Sequence, residues 1–321
     1  LNKSNILSWI KFLIGWPLSL ISLAFIIKLI IDKGSGLNIS LENINFFYLF
    51  LGITTFFIYF LMRSFLWQLE LREKGHKINF RENTYRFAFS ELKRYIPGNV
   101  WSFLSRGSQF SELGVDKKTI GISVLADIQL VIIACGAVSL VSIPWLLGSP
   151  NELKLKLLSL LPVSLIAIST FFIATGLIYN RKYRDKTSKT VALHSAKVFA
   201  SFLIPGFGKN SKFKLILFSI LTYSIFGVGN YLIFTSIFPL APSLFLTLTS
   251  FFVFSLLIGY LSFITPMGLG IRELVLTLGL SEFLSVQDAG AVSIFLRIIL
   301  IISELIFLFI IFIWQKSYRK T

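Results

Sequence analysis

Long uninterrupted apolar runs are the feature that most limits what this chain can fold into. Runs such as Ile44 to Leu69 and Ala289 to Trp314 each exceed twenty residues. A helix needs roughly 20 mostly apolar residues to cross a bilayer. Most of these runs lack the polar face that a helix packed in a soluble domain must show to water. The balance of the whole chain agrees, with 55% hydrophobic and 14% charged residues, against about a quarter charged in soluble domains. The expected fold class is therefore all-α, a polytopic integral membrane protein of about eight transmembrane helices.

The spans are expected at about 6–31, 44–69, 119–147, 153–179, 215–238, 244–264, 265–283 and 289–314, with a kink at Pro17. Residues 1–321 read as a single transmembrane domain. The first run is too long for the apolar core of a signal peptide, so no cleavable leader is expected.

The net charge of +16 would suggest nucleic acid in a soluble chain. Here the basic residues fall between spans, as the positive-inside rule describes, so no nucleic-acid partner is expected. Lys and Arg concentrate in 70–118, in the basic loop 180–214 and in the tail. The alternate loops carry few. The N-terminus, both basic regions and the tail are expected at the cytoplasmic face of a prokaryotic inner membrane. That parity requires the short seventh segment to cross; if it is re-entrant instead, the tail falls outside.

Catalytic chemistry has little to stand on. There is one cysteine, Cys135, and two separated histidines, His76 and His194, so no disulfide or Cys/His metal site is expected. No phosphate-cradling GxxxxGK[ST] run occurs. No cofactor and no metal are expected, no catalytic residue is assigned, and enzyme activity stays open with the balance against it.

Two breaks carry the functional signal. The first reads RYIPGNVWSFLSRG over 94–107, and the second FITPMGLGIREL over 263–274. Paired Pro/Gly-interrupted segments in two halves of a transporter point to a site near the membrane midplane. A broken helix frees backbone N–H groups at a new N-terminus, which attracts anions. Candidate lipid head-group residues are Tyr95, Pro97, Gly98, Asn99, Trp101 and Arg106 at the first break. At the second they are Pro266, Gly268, Gly270, Arg272 and Glu273. Phe80 to Arg94 reads as an amphipathic interfacial helix, after which the chain dips and returns within the region 80–110.

Charges inside spans are costly, roughly 2.5–3.5 kcal/mol each on insertion scales. Asp127, Arg297 and Glu304 need reasons, and they are expected to line one polar cavity with Arg106, Arg272 and Glu273. Structural pairing between helices is the competing explanation. Arg63 is read as near enough to its span's end to snorkel. Asp127, Glu273 and Glu304 are candidate proton carriers.

At these residues the chain resembles the transmembrane region of lysylphosphatidylglycerol synthase/flippase proteins and their stand-alone relatives. The likeness rests on YIPGNVWSFLSRG at 95–107, LGV at 113–115, the span with Asp127, and TPMGLGIRELVL at 265–276. Met267 stands where the family commonly has glycine, which leaves that backbone less open. The resemblance implies a polytopic domain that handles lipid head groups. In fused members a soluble domain attaches an amino acid to phosphatidylglycerol and the membrane part flips the product. The chain's last span runs nearly to Thr321, so no lysyl transfer is expected of it.

The expected function is a lipid flippase or transporter for an anionic phospholipid or polyprenyl-linked lipid: aminoacyl-, polyprenyl-phosphate- or glyco-lipid. Two alternatives stay open: a membrane-embedded transferase acting on a lipid phosphate, and a non-catalytic scaffold for a synthase or glycosyltransferase partner.

Overall fold

A computed structural model describes residues 44–95, 101–142, 207–239, 242–262 and 268–318. The expected first and fourth spans, Pro97, Gly98, Asn99 and Pro266 lie outside the described residues. So does most of the basic loop.

Every described regular element is helical. In chain order they are α1 (Phe46–Glu73), α2 (Phe80–Glu91), α3 (Trp101–Ser111), α4 (Lys117–Ser139), α5 (Lys209–Thr235), α6 (Phe245–Leu261), α7 (Ile271–Leu280) and α8 (Val286–Tyr318). Short 3-10 turns cover Leu92–Tyr95, Leu140–Ser142 and Pro242–Leu244. Five stretches are long and apolar enough to cross a membrane: Phe46–Glu73, Lys117–Ser142, Asn210–Thr235, Pro242–Leu261 and Val286–Ser317. They match expected spans two, three, five, six and eight, so the chain is a multi-pass membrane protein.

The starts of these helices are set locally. Asn45 caps α1, its side chain accepting from the N–H groups of Phe47 and Tyr48. Asn79 caps α2 and Asp116 caps α4. Each cap supplies an acceptor to N–H groups that the helix itself cannot satisfy. The hydrogen bond from Thr119 holds the Asp116 carboxyl below its usual range.

The core is aromatic and built on glycine contacts. Gly229 of α5 receives the ring of Phe56 from α1, and Gly227 lets α5 approach the backbone of α6 at Thr249. Small residues at such crossings let helices approach closely, the main packing device where lipid gives no hydrophobic drive. Phe56, Phe226, Tyr59 and Tyr223 then meet in tilted and edge-to-face pairs along the α1–α5 seam.

Two helix pairs fold back on themselves. The first is α2–α3. Arg81 and Glu82 at the start of α2 meet Trp314 and Gln315 near the end of α8. Past the end of α2, Arg94 and Tyr95 reach Glu304 of α8, at 2.6 and 2.5 Å. So α2 rises alongside α8. α3 then descends, Arg106 pairing with Glu91 and Glu112 with Arg86. The helix expected at the interface over 80–94 is thus one limb of an antiparallel hairpin, and its polar face meets protein. The physical reason is its polar side chains. Asn83, Thr84 and Ser90 are buried, and Asn83 and Thr84 bond to Ser64 of α1. An amphipathic pattern shows that a helix has two faces, and here the polar one meets protein.

The second pair is α6–α7. Gly268 abuts Gly259 near the end of α6, and Gly279 near the end of α7 abuts Phe251 earlier in α6. α7 thus runs back along α6. α8 then returns against α7, with Thr277 near Ser293 at 3.3 Å and Glu273 near Arg297 at 3.4 Å. The end of α6 lines the same cavity as Asp127, which lies ten residues, about 15 Å, from the start of α4. α7 has ten residues, about 15 Å of rise against a hydrocarbon core of about 30 Å. α7 alone is therefore too short to span the core, and α8 ends beside α2 and the basic end of α1.

Candidate functional site

The described ends of the two hairpins line one cavity. The α2–α3 hairpin contributes Glu91, Arg94, Ser102, Phe103 and Arg106. The α6–α7 hairpin contributes Leu256, Gly259 and Tyr260. Tyr59 and Arg63 of α1, Asp127, Ile128 and Val131 of α4, and Tyr223 of α5 close the walls. A smaller adjoining space is lined by Arg63, Glu91, Arg94 and Glu304.

Asp127 is the hub of this site. It is 1% exposed and accepts from two arginines, Arg63 at 2.6 and 3.3 Å and Arg106 at 2.8 Å. Arg106 also donates to Glu91 and lies 4.6 Å from the centre of the Trp67 ring. Glu91 in turn takes Arg94 at 3.2 Å, and Arg94 reaches Glu304. Three arginines meet three carboxylates, so the described charges of this network balance. A buried charge is tolerated when paired and hydrogen-bonded.

Arg63 was expected to snorkel, and it does not. It is 8% exposed and turned inward to Asp127, because a carboxylate in the next helix offers more than a distant interface. Arg63, with Glu91, Arg94, Ser102, Tyr59, Tyr223 and Tyr260, makes up the polar lining beyond the sequence candidates. A charge inside an apolar run was the available signal for Arg63; for the tyrosines none existed.

A second cluster lies beyond Gly259. Arg272, at the start of α7, is 1% exposed. A Cβ placed on Gly259 would stand 3.1 Å from the Arg272 Cβ, so the glycine brings this arginine against the cavity wall. One Nη of Arg272 donates to Asn230 at 3.2 Å, and the guanidinium lies 5.2 Å from the centre of the Phe226 ring. Its Nε and other Nη have no hydrogen-bond acceptor. Glu273 accepts the Gly270 N–H at 2.6 Å and lies 3.4 Å from Arg297. Gly270 needs its glycine, with φ at +87°.

The expected six-charge cavity is thus two neighbouring clusters. Arg106 and Asp127 line the main cavity, Glu304 lines the adjoining space, and Arg272, Glu273 and Arg297 sit behind Gly259. Arg297 and Glu304, seven residues apart on α8, serve different clusters. Trp101 opens α3 near the hairpin tip and is 44% exposed. Among the described residues no group of three His, Cys, Asp or Glu is placed to hold a metal ion.

The chain carrying this arrangement matches a known family. The model of the lysylphosphatidylglycerol synthase TM region matches residues 8–307. The chain belongs to this family. The match takes in both hairpins, both charge clusters and the first two thirds of α8, and it ties the chain to a membrane lipid-related role. A comparison with curated proteins finds no match.

Proposed function

We propose that this protein is a lipid flippase or lipid transporter of the cytoplasmic membrane, handling a lipid whose head group carries an anion. Its substrates would be aminoacyl-, polyprenyl-phosphate- or glyco-lipids. The observation that carries the reading is the placement of Arg272. It is a buried guanidinium with two nitrogens lacking acceptors, set against the wall of a polar cavity between two opposed hairpins. A buried donor without a partner is costly, and a phosphate or carboxylate oxygen would satisfy it. Arg is suited to planar, two-point recognition of such groups.

The rest of the site fits a carrier. Hairpins entering from opposite sides, with tips around one cavity, are an arrangement suited to exposing that cavity to each side in turn. The balanced Arg63–Asp127–Arg106–Glu91 network gives a polar lining that need not be neutralised when the cavity empties. Acyl chains would stay in the bilayer while the head group passes between the tips. The basic end of α1, α2 and the tail would face the cytoplasm, by the positive-inside rule.

The test is transbilayer movement of labelled lipids in liposomes containing only the purified protein. Movement of anionic lipids is expected. Absence of movement across a broad panel would overturn the reading in favour of a transferase or a scaffold.

A further inference from the structure

Glu70 plays no part in the network above, yet it is the most completely buried carboxylate of the described residues. It is 0% exposed, and neither carboxylate oxygen has a hydrogen-bond partner. It lies on α1 seven residues, or two turns, beyond Arg63, so both share one face. Trp67 lies between them on that face, its indole N–H also without an acceptor. α4 runs antiparallel to α1 here, since Arg63 meets Asp127 and Leu66 packs with Ala126. One turn from Asp127 toward the basic end, α4 carries Ser123, 0% exposed with its hydroxyl unpartnered. Four polar atoms on Trp67, Glu70 and Ser123 are thus buried and unsatisfied between the Asp127 network and the basic end of α1.

Such atoms are rarely left alone in proteins, and unsatisfied groups of this kind mark bound water or a group with a chemical task. The charges acting on Glu70 are Asp127 of α4, Arg106 of α3, and Arg63 and Lys74 of α1. Lys212 of α5 stands next to Lys74. None of these cations donates a hydrogen bond to it. Burying a carboxylate with no hydrogen-bond partner is costly.

We infer that Glu70 is a proton-binding site reached by water from the basic end of α1, lying against the face of the Asp127–Arg106 network. A proton from that water joins a Glu70 carboxylate oxygen to give the neutral acid, and its return to water restores the anion. The ionised form offers Arg106, which already lies over Trp67, an acceptor competing with Asp127 and Glu91. Proton binding at Glu70 is thereby linked to how firmly the α2–α3 hairpin is held. The inference concerns proton binding and stands apart from whether the protein moves lipid.

The test is infrared spectroscopy of the full chain in liposomes. The wild type should show a carboxylic-acid carbonyl band that Glu70→Gln removes and that Glu70→Asp moves rather than removes. That band should shift within minutes in D2O and weaken in alkaline buffer. If Glu70→Gln leaves the acid bands unchanged, Glu70 is ionised and the inference fails. A band that Glu70→Gln removes but that neither shifts in D2O nor responds to pH makes Glu70 a sealed structural acid, which also overturns it. Should Glu70→Gln fail to fold, the Glu70→Asp band shift and its D2O response decide between the same outcomes.

Discussion

Arg63 closes on Asp127 with both terminal nitrogens, at 2.6 and 3.3 Å, joining α1 to α4 inside the membrane. Arg106 takes the second oxygen of the same carboxylate, so one aspartate fixes two helices and a hairpin. Asp127→Ala should therefore act on the fold. Removing one partner from a buried charge network costs about 3–5 kcal/mol, and two arginines lose their acceptor here. The expected result is a large drop in thermal stability in detergent and low yield. A variant as stable as the wild type would mean that the pairing is dispensable.

Arg272 should behave in the opposite way. Its guanidinium holds one hydrogen bond, to Asn230, and two of its nitrogens lack acceptors. Arg272→Met removes an incompletely satisfied charge and keeps an apolar stem over Phe226. Thermal stability should be unchanged or higher, while lipid movement in liposomes is lost. Arg106→Met, by contrast, should lose stability and movement together, because Arg106 is committed to Asp127 and Glu91. Equal stability losses in the two variants would contradict the distinction.

The α6–α7 hairpin depends on backbone contact. Gly268 has φ at +65°, and a Cβ there would overlap the Cα and carbonyl of Gly259. At Gly259 the added Cβ would press only on the Arg272 Cβ, at 3.1 Å, with the Gly268 Cα at an ordinary 3.6 Å. Gly268→Ala should cost more than Gly259→Ala, about 1–3 kcal/mol by overpacking alone. Thermal melts of the two variants check the order, and a reversed order would mean that the contact is not close.

Glu304 secures the tip of the other hairpin through Arg94 and Tyr95. The base of that hairpin is held separately by the Gln315–Glu82 bond and by Arg81 over Trp314. Glu304→Ala should raise amide hydrogen exchange around 92–104 and leave 80–86 protected. Exchange rising evenly along α2 would show that the tip has no anchor of its own.

Cysteine labelling tests the arrangement of the hairpins. With Cys135 replaced by alanine, cysteines at Lys77 and Lys316 should label from one face and those at Ser243 and Val286 from the other. Labelling of Lys316 with Ser243 would place the end of α8 on the wrong side.

Much of this architecture is legible in the sequence because lipid forces it to be. An apolar run of twenty residues admits few structures, so α1, α4, α5, α6 and α8 fall where their runs predict. Both breaks are visible as Pro/Gly interruptions. Direction is harder to read. The polar residues of α2 are the same whether its polar side faces head groups or α1, and only Asn83 meeting Ser64 decides. Arg63 illustrates the same limit. Its distance along the helix permits snorkelling, and the presence of Asp127 across the interface, which hydropathy does not record, turns it inward. Glu70 sits close enough to the end of its run to pass for a loop charge until its burial is known.

The central claim is that a lipid head group occupies the space between the hairpin tips, within reach of Arg272. The most direct measurement places a photo-crosslinking amino acid at Ser102, on the cavity wall, and another at Phe309, an exposed position on α8. After irradiation in liposomes holding labelled anionic lipid, mass spectrometry identifies the adducts. Head-group adducts at Ser102 that Arg272→Met removes, with acyl-chain adducts at Phe309 unaffected, are the predicted result. Absence of lipid adducts at Ser102, or head-group adducts there that persist in Arg272→Met, would contradict the account.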